Sequence, residues 1–360
     1  MVPLDDQGSA AAPPGSPPIS QERRNELNRA LHFMLAKARC RGHALSCFLD
    51  EPPSPLIPRR AGQGHAAPAA DRELLVNRSF LYAPRGGLPA ALRTRVPPMD
   101  GLLSGSPLAW IEDAGTGVWA PYWARGEWLD ILASLRPGQP APAALPPVVR
   151  ETLAAANVLV APGGEEDRRA TWQATCRDAE AQFQRYGYAI VRDLIPPVLI
   201  GALRHYYRGL VAGGQLPRGD DQVPDRYRLH SEPAAMFFHP QLAGLLSRIA
   251  AQPVRPSYLY FASYPPGAAL PRHVDRAQCE LSISLLIDYS PEPDGPCGWP
   301  LFLEHAALPG GLVAADLGIG DAVIYRGREL AHYRHRLPDG HQSSSLFFHY
   351  VGEDFAGDTF

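Results

Sequence analysis

Residues 271–284 read PRHVDRAQCELSIS. A histidine, an aspartate and two arginines stand at the mouth of what otherwise has the pattern of a β-strand. A strand that only builds a core alternates apolar and polar residues and has no need of His273, Asp275 and Arg276 together. Residues i and i+2 of a strand share a face, so a strand here would send His273 and Asp275 into the same interior, beside Leu281 and Ile283 of the next strand. A carboxylate buried next to an imidazole is costly unless something compensates it, and a bound cation would do so. Two ligands do not complete a metal site, so a third is expected from a distant strand of the same sheet system.

The downstream stretch 320–337, GDAVIYRGRELAHYRHRL, offers it. A strand ends at Arg326-Gly327, and His332 lies five residues past that turn. Two histidines and one carboxylate leave coordination positions open and suit non-haem iron(II). His335, three residues further, is the alternative ligand. The same two histidines and aspartate could also hold zinc.

Around this motif the chain from 255 onward breaks into short β-type runs at 255–264, 279–290, 299–304, 310–317, 320–327 and 343–351, separated by Gly, Pro and Asp turns. Such spacing argues for a sandwich or barrel rather than βαβ units. Before it come a helix over 167–187, a strand over 188–195 and a helix over 197–214 that begins behind Pro196-Pro197. APGGEE at 161–166 reads as a linker.

The His273-Val274-Asp275 … His332 pattern resembles the HxD…H signature of the Fe(II)/2-oxoglutarate-dependent oxygenases. YPPGAALPRHVDRAQCELSISLLID is similar to that family's approach to the metal motif, GDAVIYRGRELAHYR to its return strand, and GYAIVRDLIPPVLIGALRHYY (187–207) to its entry. The resemblance covers roughly 170–351. It implies an α+β fold class: a double-stranded β-helix, or jelly roll, with flanking helices. It implies Fe(II) held by His273, Asp275 and His332, with 2-oxoglutarate and O2 as co-substrates. The reaction would be a hydroxylation coupled to decarboxylation of 2-oxoglutarate to succinate and CO2. Related halogenases lack the carboxylate ligand, so Asp275 favours hydroxylation or desaturation over halogenation.

One departure stands out. The family anchors the far carboxylate of 2-oxoglutarate with Arg or Lys on the last barrel strand, and here that place is Ser343 in Ser343-Ser344-Ser345. Another arginine could bind a carboxylate bidentately. Arg334 is the first choice, then Arg336 and Arg276, with Tyr258, Tyr260, Tyr264, Gln342 and Ser345 as hydroxyl or amide partners. The missing arginine also keeps open an iron dioxygenase that does not use 2-oxoglutarate, and a jelly-roll binding protein without chemistry is the non-enzymatic alternative. His230 and Glu232 could face the substrate but read first as surface polar groups, His349 as a core or supporting histidine, Trp299 as packing or a wall of the pocket, and Cys279 as an inert thiol.

The rest of the chain bounds the answer. It has 360 residues, of which 45% are hydrophobic, enough for one large or two ordinary domains. The net charge of −3 gives no nucleic-acid footprint. No apolar run is long enough to span a membrane, and the start of the chain lacks a signal-peptide order. Five scattered cysteines read as reduced cytoplasmic thiols. Lys37 is the single lysine, so a fixed cation in a buried site must be arginine, a composition that fits a high-GC bacterial genome. The Pro- and Ala-rich residues 1–20 read as a disordered tail, 21–40 as an amphipathic helix and 50–70 as loop. Residues 21–162 read as an N-terminal accessory domain, with the oxygenase domain at 167–360. Within the first, 107–123 has the pattern of a hairpin, with helices at 125–135 and 145–160. Hairpin plus short helices, over 75–162, resembles a winged helix of the kind that recognises peptides in ribosomal-peptide modification. A plain α/β scaffold fits the same outline. The expected substrate is a small molecule or a peptide. Oligomeric state is not legible.

Overall fold

The computed structural model describes residues 73–96 and 107–359, apart from 215, 305 and 307. The expected tail, the helix over 21–40 and the loop over 50–70 lie outside the described residues. Among those described, no helix is long and apolar enough to cross a membrane.

The first elements are strands β1 (Leu75–Val76), β2 (Leu81–Ala83), β3 (Leu108–Glu112) and β4 (Trp119–Trp123). Helices α1 (Trp128–Ser134) and α2 (Pro147–Ala155) and strand β5 (Leu159–Val160) come after them. β2, β3 and β4 form an antiparallel sheet, and β3 turns into β4 through Asp113, whose carboxylate accepts from the Thr116 N–H at 2.7 Å. β1 pairs with β5, Leu75 opposite Val160, so the segment's two ends meet. This segment packs against the C-terminal part of the chain. Trp110 lies against Phe237, the Trp119 N–H donates to Gln241, and Asp113 pairs with Arg168 at 3.2 Å.

Helix α3 (Gly164–Tyr186) begins three residues earlier than the sequence pattern suggests and takes in the end of the expected linker. Glu165, Glu166 and Asp167 in its first turn favour its positive N-terminus. It ends at Gly187, whose φ of +74° only glycine adopts readily and where a Cβ would meet Leu330 at 2.9 Å. Strand β6 (Tyr188–Val191) and helix α4 (Pro197–Ala212, proline in its first turn) come next, then β7 (Tyr227–His230), α5 (Pro233–Phe238) and α6 (Ala243–Ala250). The remainder is β8 (Val254–Tyr264), β9 (Leu270–His273), β10 (Leu281–Ser290), β11 (Leu301–Glu304), β12 (Leu312–Ala315), β13 (Ala322–Arg326), β14 (Ala331–Arg334) and β15 (Gln342–Gly352).

These strands make two antiparallel sheets, one of six in the order β6-β13-β10-β15-β8-β7 and one of four in the order β12-β11-β14-β9. From β8 onward the chain passes back and forth between them, the path of a jelly roll. The faces meet where Tyr325 of β13 stands edge-on to His332 of β14, ring centroids 4.9 Å apart.

The larger sheet explains why LSISLLID carries serines where a core strand should be apolar. β10 is buried on both faces. Ser284 lies opposite Phe347, and Ser282 opposite His349 and Tyr325, all three of which line the barrel interior. Ile283 and Leu285 therefore point the other way, toward the helices. The expectation that Leu281 and Ile283 neighbour the metal motif is corrected by one residue: Ser282 is the neighbour, because side chains alternate with period two.

Candidate metal centre

His273 is the last residue of β9, and β14 runs beside it with His332 directly opposite. Asp275 is not on a strand. β9 stops at His273, and Asp275 is fixed in the next turn by its N–H, which donates to Gly327 O at 2.8 Å. The shared-face argument for a continuous strand therefore does not apply, although the three side chains converge. One ligand atom from each of His273, Asp275 and His332 lies within 4.8 Å of the others. Asp275 Oδ1 is 3.8 Å from His273 Nε2 and 3.5 Å from His332 Nε2.

The surroundings orient every donor. His273 Nδ1 is 2.8 Å from Pro271 O and His332 Nδ1 is 2.9 Å from Leu330 O. A carbonyl only accepts, so each Nδ1 carries the proton and each Nε2 presents its lone pair to the centre. Asp275 Oδ2 accepts from Ser282 Oγ at 2.9 Å, and that hydroxyl accepts in turn from His349 Nδ1 at 2.8 Å. Oδ1 is left facing the two imidazoles. Burial works against the Asp275 charge, but His332, His349 and Ser282 outweigh it and hold the carboxyl below its usual range. Burial and the neighbouring His332 keep His273 low, and burial brings His349 to about 4, so both are neutral at pH 7. Two imidazoles that present Nε2 and one carboxylate fit a divalent metal that keeps open positions.

Gly327 closes the back of this group. A Cβ there would lie 2.5 Å from Cys279 O and 2.8 Å from Ser282 Oγ, and it would strike Asp275 Oδ2.

A cavity of about 450 Å³ opens in front of the three residues. Tyr258, Tyr260, Tyr264 and Arg276 line it. Arg334 does not. It lies behind, buried, over the Trp299 ring at 4.5 Å, and Trp299 in turn packs edge-on against Tyr264. Arg334 Nη1 donates to Trp299 O at 2.5 Å. No carboxylate lies within ion-pair distance of it among the described residues, and burial depresses its pKa. On β15, Ser343 pairs with Tyr264, and Ser345 lies two residues on, on the same side. The Ser343 and Ser284 hydroxyls are buried without a hydrogen-bond partner.

Other residues fall elsewhere. Arg336 is exposed and bound to Asp339 at 2.7 Å, and Gln342 is exposed at the start of β15; neither reaches the cavity. His335 is exposed and packs edge-on against Phe302 and Tyr333, so His332 alone of the pair joins the group. Glu232 is not a surface group. It is fully buried and caps α5, accepting from Ala234 N, Ala235 N and the Tyr206 and Tyr207 hydroxyls. His230 is on the cavity wall, as are Asp220, Arg226 and Arg228. The signal for the two arginines and His230 was the alternation Arg226-x-Arg228-x-His230, polar residues at every second position running into strand β7.

No family model matches the chain, and no curated protein does. Solved structures share parts of it. A Pseudomonas putida prolyl-4-hydroxylase matches 49% of this chain and 99% of its own at 17% identity and a TM-score of 0.42. AviO1 from Streptomyces viridochromogenes Tue57 matches 51% and 97% at 20% identity and 0.42. The non-haem alpha-ketoglutarate-dependent epimerase SnoN from nogalamycin biosynthesis matches 50% and 83% at 17% identity and 0.41.

Proposed function

We propose that this chain is a non-haem iron(II) oxygenase that uses 2-oxoglutarate and hydroxylates an unactivated C–H bond of a peptide side chain or a natural-product intermediate. Bound iron, 2-oxoglutarate and O2 would supply the oxidising power, with succinate and CO2 as the co-products. The residues' part is positional. His273, Asp275 and His332 hold the metal through Nε2, Oδ1 and Nε2. Pro271 O, Leu330 O and Ser282 Oγ fix the tautomers and the carboxylate.

The observation that carries the co-substrate is Arg334. A buried guanidinium without a carboxylate is expensive, and this one is two residues from a metal ligand. A dicarboxylate reaching down from the metal would supply its counter-charge. Ser343 stands where an arginine is usual in the family this chain resembles. Its short side chain leaves room for a cation from the opposite sheet, and the orphaned Ser343 and Ser284 hydroxyls can donate to the same ligand. The free, buried Cys176, Cys279 and Cys297 fit a reducing, cytoplasmic compartment.

The test is Arg334→Gln. Affinity for 2-oxoglutarate, read by calorimetry on the metal-loaded protein, should fall at least ~30-fold, as loss of a charge-assisted pair implies, while metal affinity holds. Unchanged affinity would remove the assignment.

A further inference from the structure

The cavity carries more positive charge than the proposed reaction uses. Asp275 belongs to the metal group. Arg226 is committed to Asp220, with Nε–Oδ2 at 2.6 Å, and also donates to the Tyr264 hydroxyl at 3.0 Å. Asp221 is exposed at the rim. Two guanidinium groups remain. Arg228 donates through Nε to Gly219 O at 2.6 Å and places Nη1 3.4 Å from His230 Nε2. Arg276 lies over the Tyr258 ring at 5.8 Å. Among the described residues neither has a carboxylate within ion-pair distance.

These groups form one arc. His230 Nδ1 is hydrogen-bonded to the Tyr258 hydroxyl, so the order along the wall is Arg228, His230, Tyr258, Arg276. The arc is tied to the metal group. The Tyr258 ring stacks on His349 with centroids 5.6 Å apart, and His349 reaches Asp275 through a single hydroxyl. An anion on the arc would therefore leave the rest of its molecule close to the metal position.

We propose that Arg228, His230, Tyr258 and Arg276 bind an oxyanion of the substrate to be oxidised, a carboxylate or a phosphate, and thereby set which C–H bond faces the metal. The co-substrate is a poor occupant for the arc, because its distal carboxylate is the counter-charge that buried Arg334 lacks. The inference rests on the proposed oxygenase reading for the reaction, but anion binding can be measured without it. Two guanidinium groups in a partly enclosed site fit a group with several acceptor oxygens, and binding should weaken as salt rises.

The experiment uses the full chain, both metal-free and loaded with Mn(II) and N-oxalylglycine, which occupies the metal and Arg334. Phenyl phosphate and benzoate are titrated by calorimetry. One of them should bind in both forms, and the tighter identifies the anion. Arg228→Gln and Arg276→Gln should each weaken it about tenfold, Arg228→Lys should retain most of it, and 2-oxoglutarate affinity should not move. The proposal is overturned if neither probe binds, if the double glutamine variant binds like the parent, or if that variant loses 2-oxoglutarate affinity. A chain that binds the probe through the arc but never 2-oxoglutarate would sink the oxygenase reading and leave the anion site standing.

Discussion

Gly327 gives the sharpest handle on the metal group, because it touches the ligands without being one. In Gly327→Ala the new methyl would sit 2.5 Å from Cys279 O and 2.8 Å from Ser282 Oγ, where ordinary contact begins at 3.4 Å. Those atoms must retreat by about 0.6 to 0.9 Å, and Asp275 Oδ2, nearer still, must move further. The Cys279 carbonyl is backbone, so the Asp275 carboxylate and the Ser282 hydroxyl are the parts able to yield. Overpacking of this kind costs about 1–3 kcal/mol of stability. Loss of the Ser282–Asp275 bond adds the roughly 10- to 100-fold drop in metal affinity typical of a disturbed supporting group. Titration of Mn(II) into metal-free protein, monitored by the water-proton relaxation of free and bound metal, measures the second effect. Gly244→Ala is the control. No atom lies within 4 Å of its added Cβ, and it sits in helix α6, so it should leave metal affinity alone and gain up to about 1 kcal/mol of stability. Parental metal affinity in Gly327→Ala would mean that Asp275 is not held by this packing.

Three further outcomes are expected. Ser282→Ala removes the donor to Asp275 and the acceptor for His349, and should weaken metal binding about tenfold without loss of the fold; equal affinity in the same titration would contradict it. Glu232→Ala strips four donors of their acceptor and should lower stability by about 3 kcal/mol, read as a shifted urea midpoint; a shift under about 0.5 kcal/mol would show that water replaces the carboxylate. Asp220 has a pKa of about 2, because its bonds from Arg226, Tyr260 and the Val223 N–H outweigh burial. A folded-state pKa below the unfolded value contributes stability that is present above about pH 4 and lost as pH falls toward 2. The parent should therefore lose on the order of 1 kcal/mol more than Asp220→Asn between about pH 5 and 2, and parallel acid limbs would refute this.

Much of the barrel was legible because its strands are short, apolar and bounded by Gly, Pro and Asp. The runs at 255–264, 320–327 and 343–351 match β8, β13 and β15 within two residues. A strand was expected at the metal motif, but not its end at His273, where β9 stops. β14 and β7 were not legible: each is four residues long and rich in His and Arg, so charged side chains that serve the cavity erase the apolar alternation that marks a strand. The ligand triplet was legible as residue types at a spacing, but the reason it converges was not. Asp275 reaches the centre from a turn held by Gly327 and Ser282, contacts that are 52 and 7 residues away along the chain. The cavity's cations were partly visible. Arg276 lies next to the motif, whereas Arg226 and Arg228 come from a segment that reaches the site through the pairing of β7 with β8.

On the proposed reading, His273, Asp275 and His332 hold iron in a form that 2-oxoglutarate can chelate. Its most direct test is an anaerobic titration of Fe(II) and then 2-oxoglutarate into metal-free protein, watching for the weak visible charge-transfer absorption that bidentate keto-acid chelation by such an iron gives. The band should appear with one equivalent of each and be abolished by alanine at His273 or His332. Iron that binds without the band would remove the co-substrate, and protein that binds no iron would leave the His–Asp–His group without the role assigned to it.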